Sequence, residues 1–569
     1  MGVLDVDYFT KRLKAVLGLA EQAYNLRLSP LPPFETADSI KTFCTAFSLN
    51  KPPAGFHRGE IRGAGPSFIT GKECGCRQKP GRREWQSLCH TLFMFRKVLP
   101  SPPADLDGLF IKLQKSSVPD PEFIQVINRV VAREFPVGWD KSFQQAVDGT
   151  TIPLKSFLQK KARGQTSRSY ILGRFSREEF RAFVLRGALP ISRRRRLGVV
   201  REAGKSRVVT IADAFQHAFA PFSAIFYNHL SRKSWLCRGD VSPVKMDNFV
   251  KKEGEVFVSG DYESATDSLN MAHSKALLRA VLGRCTFLPP YYGQSLLDSL
   301  DAVIVHDGKQ GPPACEFEMS SGQLMGDKLS FPLLCLYNFV AFKSCIRRKV
   351  PLKINGDDIA FRGTRDEAES WVEGVGRSGL VLHKGKTQVS PTFFSLNSVI
   401  FEARDKARPR VVPFIRSKPF FGRRDEECYS LGDRCRASLV GHHTANFRRS
   451  FNIKFVTFNM GWHRRSHVSL LRGHKIRICD QMVRKFRLWD TECFYRSALP
   501  RDDKLVTSVV NRPAGLVSVP FNKLSRGIVK RKQAEIVECF VEHSWSTLSL
   551  DVNDRGLLPG KLSFVRQKD

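Results

Sequence analysis

Between residues 255 and 402, short apolar runs of strand length alternate with longer runs of helical spacing. Val256 to Ser259 reads as a strand ending in Gly260-Asp261, and "MAHSKALLRAVLG", from Met271, reads as a helix. Ser320, Ser321 and Gly322 make a flexible polar loop. A helix is expected from Gln323, with Leu324, Leu329, Leu333, Leu334 and Leu336 supplying apolar faces. In "KINGDDIAF", residues 353–361, Lys353, Asn355 and Ala360 alternate loosely with Ile354, Ile359 and Phe361. Asn355-Gly356 between the apolar runs predicts a hairpin. A further apolar strand leads into Lys384 and Lys386, and "FFSLNSVIFE" reads as an aromatic-rich hairpin. Outside this middle the pattern loosens. Pro-rich patches ("SPLPPF", "KPPAG", "LPSPPADLDG") break up the first hundred or so residues, and the last third is basic and weakly helical.

Charge narrows the classes of partner. The chain has 569 residues, with 91 Lys and Arg against 55 Asp and Glu, a formal net charge of +36. Such a surplus repels itself unless something anionic neutralises it, and nucleic acid is the expected partner. A membrane surface is the other candidate, but basic amphipathic helices are not conspicuous. No apolar run reaches the roughly 18 residues that span a bilayer; "SFPLLCLYNFVAF" is short and interrupted by Asn338. "MGVLDVDYF" reads as neither a secretory signal nor a transit peptide, and Val6 stands where a myristoylation site wants Ser or Thr. The 14 cysteines suit reduced thiols better than a disulfide framework. Cys74, Cys76, Cys89 and His90 are zinc-ligand types at unusual spacing, and a joint metal site is not expected there.

The adjacent Asp357 and Asp358 raise the question of chemistry, because buried unpaired charges are costly. A solvated turn would hold them at little cost. A hairpin tip carrying two carboxylates is also a good place for a divalent metal. Asp261 ends another apolar strand in the same way. Two strand-end carboxylates from separate segments are what a two-metal phosphoryl-transfer site requires. Asp267 and Ser268 have a bland reading as caps of the helix that follows.

Strand-Asp, Ser-Gly loop and helix, Gly-Asp-Asp hairpin, Lys, then an aromatic-rich hairpin resembles, in that order, motifs A to E of viral RNA-directed RNA polymerases. "VVREAGKSRVVT", residues 199–210, is similar to motif F, a basic finger strand. The resemblance spans roughly residues 195 to 402. It is closest to the narnavirus-like and ourmiavirus-like group, on the strings "GDYESATDSLN", "SSGQLMGDKLSFPLL" and "FFSLNSVIF".

The resemblance implies an α+β right-hand polymerase, with an antiparallel palm sheet packed on helices. Residues 1–150 would be an N-terminal region and fingers, and 151–255 fingers with motif F. Residues 256–410 would be palm, with a finger insertion at about 271–315, and 411–569 thumb and C-terminal region. Asp261, Asp357 and Asp358 would bind two Mg²⁺ ions, or Mn²⁺ as a substitute, with the Tyr262 carbonyl as a further ligand. Lys205, Arg207 and Arg201 would hold the triphosphate. Asp267 would sense the ribose 2′-OH, with Ser330 as the next candidate, and Ser321 and Gly322 would form a mobile loop under the template–NTP pair. Lys386 would protonate pyrophosphate, with Lys384 the second choice. Asp267 stands six residues after Asp261, one more than in many animal-virus polymerases. RNA template, RNA product and NTPs are the expected partners, and the host cytoplasm the expected location. A reverse transcriptase shares the palm but usually carries a bulky aromatic steric gate, where this chain has Ala265-Thr266-Asp267. A non-catalytic RNA-binding protein would explain the charge but not ordered carboxylates at two strand ends.

Overall fold

The computed structural model describes residues 6–24, 30–48 and 82–459, apart from short segments at 117, 161–164, 187–190, 203, 309–310, 384–385, 422–430 and 443–444. It also describes a few residues between 535 and 545. At its centre stands a four-stranded antiparallel sheet in the order β6-β7-β3-β8. Here β3 is Glu255–Gly260, β6 Leu352–Asn355, β7 Asp358–Thr364 and β8 Gln388–Ser390. Asn355 pairs with Asp358, so Gly356-Asp357 is a two-residue hairpin connection. Gly356 has φ +66°, a conformation that glycine adopts without steric cost.

The period-2 alternation of the strands explains what covers the sheet. Val256, Val258, Ile359 and Phe361 face a large apolar cluster built from helices. The helix Ser330–Cys345 is buried almost continuously from Pro332 to Phe342, and Met271–Leu282 and Arg365–Gly374 pack into the same cluster. Phe257 and Ala360 face the other way, onto Phe394 and Phe401. Those residues belong to a second sheet, order β11-β10-β9: β9 is Phe393–Leu396, β10 Val399–Arg404 and β11 Ala407–Val411. The ring centroids of Phe257 and Phe394 are 5.1 Å apart. The central sheet is therefore covered by helices on one face and by this smaller sheet on the other. The aromatic hairpin predicted at 393–402 is β9–β10, turning through Asn397 and Ser398, which have φ of +49° and +58°.

A third sheet, order β2-β1-β4-β5, carries the basic segment. β1 (Arg194–Glu202) and β2 (Lys205–Ile211) form a hairpin, with Glu202 opposite Lys205; the single basic strand expected there is two strands. β1 also runs parallel to β4 (Val303–His306), which pairs with β5 (Cys315–Glu318). The N-terminal helices Val6–Tyr24, Ala37–Ser48 and Arg82–Phe95 share an apolar cluster with Ile415, Phe420, Phe451 and Phe455. Among the described residues, no helix is long and apolar enough to cross a membrane.

One predicted boundary moves. The helix expected from Gln323 begins at Ser330. Gly322 and Gly326 have φ of +88° and +127°, outside helical space, and Gln323 N–H donates to the Thr266 carbonyl at 2.6 Å instead of entering a helix.

The last residue of β3 has no room for a side chain. A Cβ on Gly260 would lie 2.5 Å from Trp371 Cη2 and 2.7 Å from Ile359 Cγ2. Trp371 is fully buried and cannot retreat. Gly260→Val is therefore expected to destabilise the fold by about 1–3 kcal/mol through overpacking. Denaturant unfolding of the variant beside wild type reads this, and an unchanged midpoint would contradict it.

Candidate active site

The register of β3 against β7 decides where the carboxylates go. Gly260 lies opposite Ile359, so the next residues outward, Asp261 and Asp358, emerge side by side at the same sheet end. Asp357 stands beside them at the exposed hairpin tip. Their proximity shows in Asp358, which is half-buried and whose carboxyl is pushed up to about 7. Burial is the largest cause, followed by repulsion from Asp357 and Asp261. A backbone N–H from Asn397 and the charge of Lys97 pull the other way.

Buried polar contacts hold this arrangement from behind. Asn338, the polar break in the apolar run, accepts from the Tyr262 hydroxyl at 2.8 Å and donates to the Gly356 carbonyl at 3.0 Å. One buried amide thus ties the segment after Asp261 to the tip carrying Asp357. The Gly356 N–H points at Cys335 Sγ, 3.2 Å away. His383 N–H donates to the Asp261 carbonyl at 2.8 Å, and Glu263 N–H to Val381. Tyr262 and Leu382 are thereby a non-hydrogen-bonded antiparallel pair, so the Tyr262 carbonyl turns away from that segment, toward the β7 side. Lys386 Nζ pairs with Asp261 Oδ2 at 2.9 Å. Lys384 lies outside the described residues.

Asp267 is relieved of the capping duty that the bland reading gave it. The cap of the helix Met271–Leu282 is Asn270, which accepts from Ala272 and His273 N–H. Asp267 is half-buried and its carboxyl is raised by burial; the Thr266 hydroxyl, 3.0 Å away, and the charge of Lys112 oppose that shift. Ser321 and Gly322 lie directly against this segment. The Ser321 hydroxyl and the Gly322 N–H both donate to the Leu269 carbonyl, at 3.0 and 2.7 Å. A Cβ on Gly322 would come within 3.1 Å of the Asp267 carbonyl. Ser330 opens its helix and lines a narrow cavity with Gly322 and Gln323.

Lys205 and Arg201 are exposed on the β1–β2 hairpin, and Arg207 is half-buried, its Nη1 3.9 Å from Met325 Sδ. The Met325 carbonyl accepts from both the N–H and the hydroxyl of Thr210, which docks β2 on the loop before Ser330. Two cations absent from the sequence reading reach the same region. Arg96 and Lys97 end the helical segment that starts at Arg82; Lys97 Nζ donates to Ser398 Oγ at 3.2 Å, and the charge of Asp261 acts on Arg96. Nothing periodic marked "FRKV", so only the fold could bring it here.

Cys89 and His90 are buried in the helix Arg82–Phe95, burial pushing the thiol up to about 12 and the imidazole down to about 4. His90 Nε2 contacts the Ser398 carbonyl at 2.8 Å. Cys74 and Cys76 lie outside the described residues.

Hard carboxylate oxygens crowded until one resists ionisation are a donor set that fits a divalent cation. As they stand, no three acidic, His or Cys side chains among the described residues close to metal-ligand distance. Asp261 is engaged by Lys386.

No protein-family model matches the chain. It is similar to the RNA-dependent RNA polymerase of Ourmia melon virus (isolate Melon/Iran/VE9). The two are 29% identical over 297 residues, a match covering 44% of this chain and 34% of the relative. The matched part is thus about a third of that relative's length. Its source is an ourmiavirus, the group the motif strings resemble.

The raised carboxyl of Asp358 has a sign that can be checked. The unfolded chain loses this proton near pH 4, and the folded protein holds it until about 7. Between those values the folded state binds more protons, so this group's contribution to stability falls as pH rises. Without added metal, Asp358→Asn should exceed wild type in melting temperature by a margin that grows from pH 5 to pH 8 and reaches a few degrees at pH 8. Equal melting temperatures at pH 8 would contradict the assignment.

Proposed function

We propose that this chain is an RNA-directed RNA polymerase that replicates a positive-strand RNA virus genome. The observation that carries the reading is the meeting of Asp261, Asp357 and Asp358 at one end of an antiparallel sheet. The similarity to the Ourmia melon virus protein supports it from outside the site. In this reading the central sheet is the palm, the β1–β2 hairpin belongs to the fingers, and the basic C-terminal third is the thumb. The place of action is the host cytoplasm.

The reaction is template-directed nucleotidyl transfer. The 3′-hydroxyl oxygen of the growing RNA attacks the α-phosphorus of an NTP and its proton passes to solvent water; that P–O bond forms as the α–β P–O bond breaks and pyrophosphate leaves. Mg²⁺ held by Asp261, Asp357, Asp358 and the Tyr262 carbonyl would supply charge stabilisation for the attacking and leaving oxygens. The chain's own groups position and neutralise. Lys205, Arg207 and Arg201 bind the triphosphate from the fingers hairpin. Lys386, already at the carboxylates, gives its proton to the leaving pyrophosphate. Asp267 accepts the ribose 2′-OH, beside the Ser321-Gly322 loop. RNA backbones account for the +36 charge.

The deciding experiment is incorporation of labelled NTPs on an RNA template with Mg²⁺. Asp357→Ala should abolish incorporation and leave RNA binding largely intact; undiminished incorporation would sink the site assignment. A second measurement separates this reading from a reverse transcriptase. A dNTP leaves the Asp267 carboxylate without its partner, at about 1–3 kcal/mol, roughly a tenfold to hundredfold preference for NTPs. Asp267→Ala should lose kcat/KM for ATP far more than for dATP. A wild type that prefers dATP would favour the reverse transcriptase.

A further inference from the structure

Arg96 and Lys97 belong to no polymerase-like motif, yet they stand where two of those motifs converge. The turn they sit on is pinned from both sides. On one side the Gly204 N–H, at the tip of the β1–β2 hairpin, donates to the Leu99 carbonyl at 2.8 Å. The approach is so close that a Cβ on Gly204 would lie 2.8 Å from the Arg96 carbonyl and 2.9 Å from Lys97 Cα. On the other side His90 and Lys97 both contact Ser398, at the turn between β9 and β10. The neighbouring residue of that turn, Asn397, offers its backbone N–H to the Asp358 carboxylate. One two-residue turn therefore links Lys97 to the carboxylate cluster, and one hairpin tip links it to Lys205.

Like charges meet in this wedge. Lys97 is half-buried, and Arg96, Lys205 and Arg416 all act on it in the same unfavourable direction as burial. Asp358 is the counter-charge acting on it, and Asp358 is already crowded by Asp261 and Asp357. Arg96 lies over the Phe93 ring, 3.6 Å from its centroid, which holds the guanidinium in place. Arg96 and Lys97, held beside carboxylates that would themselves bind metal, offer a guanidinium and an ammonium to an anion with several oxygens. A nucleotide phosphate has that chemistry.

We propose that Arg96 and Lys97 form a phosphate-binding pair beside the carboxylates, taking a phosphate of the reacting strand or of the nucleotide joining it. This rests on the polymerase reading and adds to it two residues from the N-terminal segment. The same pair explains why that segment is wedged between the β1–β2 hairpin and the β9–β10 turn: a bound phosphate neutralises charge that the protein concentrates there.

The test measures two affinities separately. Anisotropy of a labelled primer–template RNA hairpin in EDTA reads the RNA phosphate without catalysis. KM in single-nucleotide incorporation reads the triphosphate. Lys97→Gln should weaken one of these about tenfold, the scale of a lost charge-assisted hydrogen bond, and Arg96→Gln should weaken the same one. The affected quantity names the source: RNA affinity for the strand, KM for the nucleotide. Lys97→Arg should retain binding. Ser398→Ala removes the lysine's hydrogen bond but keeps its charge, so it should also retain binding. If Ser398→Ala reproduces the loss, Lys97 is a structural tie and the proposal is overturned. It is also overturned if neither glutamine variant changes either quantity by more than about twofold. A wild type that incorporates no nucleotide would defeat the polymerase reading, while anisotropy in EDTA would still read the phosphate site.

Discussion

The antiparallel pairing of β3 with β7 is the constraint on which the site depends. It brings two chain segments, almost a hundred residues apart, to a common sheet end with one aspartate each. The β6–β7 connection, two residues long, adds a third carboxylate at the same place. Burial first, and then the closeness of three acids, opposes ionisation there, and the raised carboxyl of Asp358 records both. The rest of the molecule serves to hold the cluster together against its repulsion. The buried Asn338 amide cross-links the two carboxylate-bearing segments, Trp371 and Ile359 close the space behind Gly260, and Lys386 pairs with Asp261. A polar residue in the middle of a buried helix would be a cost anywhere else. Here it has partners on both sides.

A second layer of structure surrounds the cluster. The Ser321-Gly322 loop lies on the segment carrying Asp267, and β2 docks on the loop before Ser330 through Thr210 and Met325. The helical segment from Arg82 then joins the basic hairpin to the β9–β10 turn. Because the N-terminal helices share their apolar cluster with residues between 415 and 455, this connection couples both of those segments to the site. Lys97 acts on Asp358, the charge of Asp261 acts on Arg96, and Lys386 pairs with Asp261, so cations from two separate segments meet the carboxylates.

Much of this was legible in the residues. The strand ending in Asp261, the hairpin at Gly356 and the aromatic hairpin all follow from local rules: alternation, turn chemistry and residue type. Each stands within a residue or two of where the pattern placed it. Local rules failed at Gln323, where apolar spacing promised a helix. Two glycines at positive φ and a hydrogen bond to Thr266 hold the chain open instead. They failed at the start of the helix Met271–Leu282 too, because Asp267, Ser268 and Asn270 are all good caps and only geometry chose Asn270.

What the sequence determined by itself was the local alphabet of the site: carboxylates at strand ends, glycines where the backbone must turn, cations on a hairpin and after a strand. Those depend on residues near one another in the chain. The tertiary structure decided which of them meet. It paired Lys386 with Asp261, gave Asn338 its two partners, and carried Lys97 across some three hundred residues to Ser398. The physical reason is that a hydrogen bond or a charge acts over a few ångströms of space whatever the separation along the chain. The register that sets those ångströms is fixed by the packing of both faces of the central sheet at once.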